Sequence, residues 1–228
     1  VVSNFGFKIF SKKVELLKMY KNITGKNDWI EWYRKQYKKD PKKEEVFRKH
    51  FNIQEREKVV LCAGLYFRRK GIEDFVEVAR RMPDVRFIWL GSINKWLIPR
   101  AIRRLVENDH PSNVEFPGYF KGAVFQGAMT GADAFFFPSY EETEGIVVLE
   151  ALAAHQHVVL RDIPVYHGWV DQESAELCHS VDEFVDSLEK VLSGQVDKRD
   201  AGDRVAQSRS IDLVADQLVK AYQQVLEM

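Results

Sequence analysis

The chain has 228 residues, 45% of them hydrophobic and 30% charged, which is the composition of a globular protein. Its 34 lysines and arginines balance 34 aspartates and glutamates, so bulk charge favours no nucleic-acid partner. The two cysteines, Cys62 and Cys178, lie in separate apolar runs, which predicts a reducing compartment and no disulfide framework. The sequence begins at VVSNFGF without methionine, and we interpret it as a fragment of a longer protein or as a chain whose start was removed.

Residues 1–50 are basic and aromatic, with two tryptophans and several tyrosines set among lysines. Helical spacing of apolar residues predicts helices over 11–20 and 43–50. Such a segment either lies on an anionic membrane surface or packs as a linker on another part of the protein. We favour packing, because tryptophan-rich helices usually bury one face, and we place a domain boundary between residues 50 and 51.

From residue 57 onwards, short apolar runs alternate with helical patterns. The predicted strands are 58–64, 85–91, 113–119, 133–139, 157–162 and 176–180. The predicted helices are 68–82, 99–107, 121–130, 145–154, 181–193 and 208–227. Strands that are apolar throughout and alternate with helices indicate an α/β fold with a doubly wound, parallel, Rossmann-like sheet over 51–228.

Ligands of such sheets bind outside the carboxyl ends of the strands. The first of these loops, GLYFRRKG, combines Gly64 with the cations Arg68, Arg69 and Lys70 at a helix start. Cations beside free helix N–H groups favour an anion such as phosphate, although a solvated basic turn has the same sequence. Neither a Walker loop nor a GxGxxG fingerprint is present, which argues against nucleoside triphosphate and NAD sites of those kinds.

The loop after the fourth strand is more informative, because Gly145 opens a helix at the ligand edge. Its free N–H groups favour a phosphate or a sugar oxygen. Glu150, farther along that helix, can accept hydrogen bonds from a ribose diol, and Glu142 can hold another polyol. The alternative is that the glutamates before the helix form a solvated acidic turn.

The segment PSYEETEGIVVLEALA (138–153) resembles the E-x7-E motif of retaining glycosyltransferases of family four, which have the GT-B fold. Lys70-Gly71, the strand ends at Gly91 and Gly118, and the run ADAFFFPS agree with that family. The resemblance covers residues 51–228 and only the carboxyl-terminal half of a GT-B enzyme, the half that binds the nucleotide-sugar donor.

The resemblance implies a role for each matching residue. Lys70 and Glu142 are the expected catalytic residues, with Lys70 on the donor diphosphate and Glu142 on hydroxyls of the transferred sugar. Glu150 holds the ribose hydroxyls, and the base lies near Tyr119. The remaining expected substrate-binding residues are Gly64, Arg68, Arg69, Gly91, Gly118, Gly145 and Ile146.

Two positions depart from the family pattern. Leu65 stands where the family usually has arginine, and His155-Gln156-His157 stands where it tends to have glycine and proline. Arg68 or Arg69 is then the expected source of the missing charge. Two histidines without a third ligand nearby do not predict a metal site, and the resemblance implies a metal-independent enzyme without a cofactor.

The runs GLYFRRKGIEDFVEVARRMPDVRFIWLG and LRDIPVYHGWV are similar to bacterial glycolipid synthases. These enzymes transfer a hexose from a UDP-sugar to diacylglycerol or glycosyl-diacylglycerol, and their products anchor lipoteichoic acid. The implied location is cytoplasmic, peripheral on the inner face of the plasma membrane. The implied partners are the UDP-sugar, a lipid acceptor, the other GT-B half and an anionic membrane surface, and the chain alone is expected to be inactive.

Other functions share these features. The chain could belong to a polysaccharide or other glycosyltransferase of the same family, or to a UDP-sugar epimerase, which also has GT-B halves. It could also be a non-catalytic nucleotide-sugar-binding or interaction module that kept the fold. The E-x7-E spacing argues against the epimerase, and Leu65 and His155 are the support for the module.

Overall fold

The computed structural model describes residues 40–209, 217, 220, 223 and 224. Residues 40–208 belong to one compact unit. The predicted helix 11–20 lies outside the described residues, and so does most of the predicted helix 208–227.

Six parallel strands form one sheet. They are β1 (Val59–Ala63), β2 (Arg86–Leu90), β3 (Val114–Gly118), β4 (Ala134–Phe137), β5 (Val158–Arg161) and β6 (Glu176–Cys178). Their order in the sheet is β3-β2-β1-β4-β5-β6, the doubly wound order. The predicted fold class is therefore confirmed, and each predicted strand is present within one or two residues of its expected ends.

Seven α-helices are described. They are α1 (Pro41–His50), α2 (Ile72–Arg81), α3 (Arg100–Glu107), α4 (Ala123–Gly131), α5 (Ile146–Ala153), α6 (Val181–Leu192) and α7 (Arg199–Ser208). Short 3-10 turns cover Arg68–Lys70, Lys95–Leu97 and Pro164–Tyr166. None of the helices in the described ranges combines the length and apolarity needed to cross a bilayer.

Both faces of the sheet are covered, which explains why its strands are apolar throughout. Phe75 of α2 packs against Trp89 of β2 and Phe136 of β4, with ring centroids 5.0 and 5.8 Å apart. Phe135 and Phe137 alternate with Phe136 along β4 and so point to the opposite face. All of these aromatic side chains are buried.

Helix α1 lies within the predicted linker segment 1–50 and packs on α4. A Cβ at Gly127 of α4 would lie 2.0 Å from the carbonyl oxygen of Lys43, so the backbones of the two helices touch there. Phe47 of α1 is fully buried in this contact region. The described end of the basic segment therefore packs against the sheet domain, whereas the boundary between residues 50 and 51 stays a prediction.

Helix α7 is not predicted by the sequence, whose last predicted helix begins at residue 208. Its sequence, RDAGDRVAQS, is polar and contains Gly202, which disfavours a helix locally. The glycine permits close packing, because a Cβ there would lie 2.7 Å from Leu152 Cδ2 of α5 and 3.1 Å from the carbonyl oxygen of Ser174. Tertiary contact therefore outweighs local propensity in this segment.

The strand order reverses direction between β1 and β4, which are neighbours at the centre of the sheet. Successive strands proceed outward to β2 and β3 on one side and to β5 and β6 on the other. Such a switch point leaves a crevice at the carboxyl ends of its two strands. The loops after β1 and β4 therefore border the expected ligand site.

Candidate functional site

Lys70 and Glu142 meet at the switch point. The Lys70 Nζ lies 2.5 Å from Glu142 Oε1, and the two side chains are only 13% and 7% exposed. One residue follows β1 and the other follows β4, so the sheet order brings them together across 72 positions of sequence. Both predicted catalytic residues therefore lie in one buried crevice, paired with each other.

Gly71 allows the two loops to approach. It has a φ of +77°, and a Cβ at this position would lie 2.3 Å from the carbonyl oxygen of Pro138. The 3-10 turn Arg68–Lys70 ends at this glycine. Any other residue at position 71 would force the loop that carries Lys70 away from the loop that carries Glu142.

Glu142 has a second partner in Ser139, a fully buried residue whose hydroxyl donates to Glu142 Oε1 at 2.7 Å. The loop itself is held by Arg69, which donates through Nη1 to the carbonyl oxygen of Glu141 at 2.9 Å. The carbonyl of Arg69 in turn accepts from the N–H of Tyr140 at 2.8 Å. These bonds fix the position of the carboxylate and of the loop that carries it.

The three predicted cations of the first loop have different surroundings. Arg68 is exposed and forms an ion pair with Glu73, with 2.9 Å between Nε and Oε2. Arg69 holds the acidic loop, the segment 138–145 after β4, by donating a hydrogen bond to the carbonyl oxygen of Glu141. Lys70 is the one among these three that is buried beside a carboxylate in the crevice.

Arg161, at the end of β5, is a buried cation that the sequence analysis did not select. It donates to the carbonyl oxygens of Pro138 at 3.1 Å and His179 at 3.0 Å, and it pairs with Asp74. Its guanidinium lies 4.0 Å from the ring centroid of Tyr140. The signal available in the sequence was a charged residue at the end of the apolar strand VVLR. The contacts of Arg161 with Pro138 and Tyr140 show that it anchors the acidic loop.

Gly145 opens α5 in the left-handed region, with a φ of +78°. A Cβ there would lie 2.8 Å from the ring of Tyr166, so this glycine is also required by packing. Ile146, the first helical residue, is 57% exposed, and Glu150 is half-buried one turn later. The free N–H groups at the start of α5 follow Glu142 within a few residues of the chain.

Tyr166 ends the 3-10 turn that follows β5. It is fully buried, and its hydroxyl has no hydrogen-bond partner within the described part of the chain. Burial raises the pKa of this phenol, and the charge of Glu142 raises that pKa further. A neutral hydroxyl therefore lies beside Gly145, at the start of α5.

Glycines stand at the carboxyl ends of β1, β2 and β3, which are neighbours in the sheet. Gly64 and Gly91 directly follow β1 and β2, and Gly118 is the last residue of β3. The N–H of Gly64 donates to the carbonyl of Leu90 at 2.9 Å, and the N–H of Gly91 donates to that of Gly118 at 2.8 Å. A Cβ at Gly91 would lie 1.8 Å from the Gly64 oxygen, so Gly91 serves strand packing. Gly118 has open space around it, and Tyr119 beyond it is 73% exposed.

His155 and His157 have structural partners at the far end of α5. His155 adopts the left-handed conformation, with a φ of +59°, at the place where the family tends to have glycine. Its Nε2 lies 2.8 Å from an oxygen of Asp200, and His157 Nδ1 lies 4.0 Å from an oxygen of Asp197. Over residues 40–209 no cluster of three or more potential metal ligands is formed.

Residues 43–208 match the protein family described as glycosyl transferases group 1. The chain is 49% identical over 186 residues to the processive diacylglycerol alpha-glucosyltransferase of Acholeplasma laidlawii, covering 81% of this chain and 56% of that protein. It is 31% identical over 130 residues to the alpha-galactosylglucosyldiacylglycerol synthase of Streptococcus pneumoniae, covering 55% of this chain and 34% of that protein. The chain therefore spans about half or less of the length of these relatives.

Among solved structures, the chain is similar to HepE of Anabaena in complex with UDP-glucose. The TM-score is 0.71 at 16% identity, and the match covers 84% of this chain and 55% of that one. This likeness concerns the fold, whereas the sequence match extends over most of the sheet domain and through both loops of the crevice. The chain belongs to the glycosyl transferases group 1 family.

Proposed function

We propose that this chain is the donor-binding half of a retaining glycosyltransferase that moves a hexose from a UDP-sugar to a lipid acceptor. The observation that carries the proposal is the buried Lys70–Glu142 pair at the switch point of the sheet. Helix α5 begins four residues after Glu142, and Glu150 lies on that helix. These are the elements that a sugar diphosphate requires: a cation, free N–H groups, and carboxylates for hydroxyls.

In this proposal the reaction breaks the bond between the sugar C1 and the diphosphate oxygen, and an acceptor hydroxyl oxygen forms the new bond to C1. Negative charge develops on the leaving diphosphate, which takes up the proton lost by the acceptor. Lys70 and the first N–H groups of α5 stabilise that charge, because they are fixed before the reaction begins. With the positive charge supplied by Lys70, the donor site is proposed to be metal-independent.

Donor binding requires Lys70 to exchange one anionic partner for another. The diphosphate replaces Glu142 as the partner of the ammonium, and Glu142 keeps its hydrogen bond from Ser139. The released carboxylate oxygen is then available to accept hydrogen bonds from sugar hydroxyls. Glu150 holds the ribose diol in the same way, and the base lies near Gly118 and Tyr119, where the structure has open space.

The lipid acceptor is proposed from the relatives, both of which are described as enzymes of glucosyl-diacylglycerol lipids. We propose diacylglycerol or a glycosyl-diacylglycerol as acceptor, at the inner face of the plasma membrane. The HepE complex with UDP-glucose supports a UDP-sugar as donor for this fold. Because the chain spans only part of its relatives, we propose that the other GT-B half completes the acceptor site and that this chain alone binds donor without turnover.

The test compares the steady-state kinetics of single substitutions at four glutamates in the full-length protein. The four lie in α5 or in the loop just before it. Glu142→Gln should lower kcat/KM by about 100-fold, since it removes a charge that acts on the reacting sugar. Glu150→Gln should raise the KM for UDP-sugar by about tenfold, the effect of weakening a hydrogen bond to a charged group. The matched controls, Glu141→Gln and Glu144→Gln, replace exposed carboxylates and should stay within about twofold of the parent.

A non-catalytic nucleotide-sugar-binding module is the second candidate. Leu65, which is 47% exposed in the loop after β1 and stands where the family usually has arginine, favours it. Such a module would show no transfer in the full-length protein, while UDP binding would still depend on Glu150. Transfer by the parent, lost in Glu142→Gln, would exclude this candidate.

A further inference from the structure

One buried polar group beside the crevice has no role in the proposed function. Tyr166 is fully buried, and its hydroxyl has no hydrogen-bond partner among the residues that the structure describes. A buried hydroxyl without a partner has lost its hydrogen bonds to water and gained none in return. While Lys70 is paired with Glu142, phenylalanine would therefore suit this position at least as well as tyrosine.

The unpartnered hydroxyl lies at the start of α5. A Cβ built on Gly145 would lie 3.1 Å from the Tyr166 hydroxyl oxygen, and Gly145 follows Glu142 by three residues in the acidic loop. Burial raises the pKa of the phenol, and so does the charge of Glu142, which places the carboxylate within electrostatic reach of the hydroxyl. The ring packs edge-on against Trp169, with centroids 5.6 Å apart, so the hydroxyl is held in place.

Glu142 loses a partner when a donor binds. The ammonium of Lys70 and the hydroxyl of Ser139 both bind Oε1 of Glu142. In the proposed function, the diphosphate takes over the ammonium, and an almost fully buried carboxylate keeps the neutral hydroxyl of Ser139. A buried carboxylate that loses its cation is destabilised, because water does not reach it to replace the lost interaction. Donor binding therefore requires a further hydrogen-bond donor at Glu142.

We propose that Tyr166 is a positioning residue whose hydroxyl donates a hydrogen bond to the Glu142 carboxylate once the donor diphosphate has paired with Lys70. The exchange joins a buried group that lacks a partner to a buried group that loses one. A phenol donates without carrying positive charge, so it does not compete with Lys70 for the diphosphate. Tyr166 acts within the proposed function, on which this inference rests, and it would hold Glu142 beside the transferred sugar.

The experiment titrates UDP into the full-length protein by calorimetry. UDP carries the diphosphate without the sugar, so no sugar hydroxyl reaches Glu142 and its new partner has to come from the protein. Tyr166→Phe keeps the ring and removes only the hydroxyl. It should weaken UDP binding by about tenfold, the effect of losing a hydrogen bond to a charged group. It should not lower the melting temperature measured without UDP, because the hydroxyl has no partner there.

A double-mutant cycle separates action through Glu142 from a direct bond between the Tyr166 hydroxyl and the diphosphate. In the background Glu142→Ala, which has no carboxylate, adding Tyr166→Phe should change UDP affinity by less than about twofold. Glu142→Gln replaces this background if the alanine variant does not fold. There the added effect should be at most about threefold, since a hydrogen bond to a neutral acceptor is weaker. A tenfold loss that persists in these backgrounds would assign the hydroxyl to the diphosphate and overturn the inference.

Ser187→Ala is the matched control, because it removes a buried hydroxyl that has a partner. Ser187 Oγ donates to Glu176 Oε2 at 3.1 Å, at the amino-terminal end of β6 and so at the opposite edge of the sheet from the crevice. This variant should lower the melting temperature by about 2–4 °C and leave UDP affinity within about twofold of the parent.

Two results would overturn the inference alone: UDP binding by Tyr166→Phe that is as tight as that of the parent, or a melting temperature of Tyr166→Phe that falls as far as that of Ser187→Ala. The first would show that the hydroxyl takes no part in donor binding, and the second would show that it is already bonded without UDP. Absence of UDP binding by the parent would contradict the proposed function itself, and this inference with it.

Discussion

Lys70 and Glu142 contribute to both stability and chemistry at the same place. Both side chains are almost removed from water, and each is compensated mainly by the other. Glu142 also accepts a hydrogen bond from Ser139. A buried pair of this kind is costly to break and often neutral to replace as a whole. Stability and activity should therefore respond differently to single and double substitution.

We predict that Lys70→Met lowers the free energy of unfolding by about 3 kcal/mol, because Glu142 is left buried without its cation. The double variant Lys70→Met/Glu142→Leu should return to within about 1 kcal/mol of the parent, because no unpaired charge remains. Urea unfolding measures both values. In the full-length protein both variants should lack transferase activity.

A double variant that unfolds as easily as Lys70→Met would contradict the assignment of the stability loss to an unpaired buried charge. A double variant that keeps activity near that of the parent would show that the pair is structural alone.

The residues of the crevice differ in how far the sequence predicts them. Glu142, Glu150 and Lys70 follow from motif spacing and loop position. Arg161 and Tyr166 do not, because their roles depend on contacts with Pro138, Asp74 and Gly145, which are distant in sequence. The apolar strand that ends on Arg161 is the one local sign of the buried arginine, and nothing local marks the unpaired hydroxyl of Tyr166.

At the scale of elements, the strands are well predicted and the end of the domain is not. A fully buried strand is a continuous apolar run, so β1 to β5 are evident in the sequence. Helix α7 is not evident in the sequence, because Gly202 disfavours a helix locally and instead serves the packing against α5. The junction of α7 with β5 also contains a titratable group that makes the packing sensitive to pH.

His157, before β5, lies close to Asp197 and Arg199 at the start of α7, and its side chain is only 15% exposed. Burial lowers the pKa of this imidazole below its ordinary value, and Arg199 lowers that pKa further. The unfolded chain therefore binds a proton below about pH 6.5 that the folded chain does not take up, and stability falls as the pH decreases. Above about pH 6.5 the imidazole is neutral in both the folded and the unfolded chain, so it does not make stability depend on pH.

We predict that the free energy of unfolding falls between pH 7.5 and 5.5, by at most about 1.4 kcal/mol per pH unit from this group. In His157→Gln the decrease should be smaller, because no proton is taken up at that position. Denaturant unfolding at the two pH values measures the difference. Equal pH dependence in parent and variant would contradict the assignment to His157.

At the scale of the whole molecule, the order of the strands in the sheet determines which loops form the site. The sequence predicts a parallel, doubly wound sheet with ligand loops at one edge. It does not specify that the loops after β1 and β4 are neighbours, because that requires the order β3-β2-β1-β4-β5-β6. Once this order is known, Lys70 and Glu142 necessarily face one crevice.

The central claim is that this crevice binds the nucleotide diphosphate of a sugar donor. The direct measurement is calorimetric titration of UDP into the chain, into the chain with Glu150→Ala, and into the full-length protein. The account predicts weak one-to-one binding by the chain, with a Kd on the order of 0.1–1 mM, and at least about tenfold weaker binding by Glu150→Ala. No binding of UDP by the chain and none by the full-length protein would contradict it.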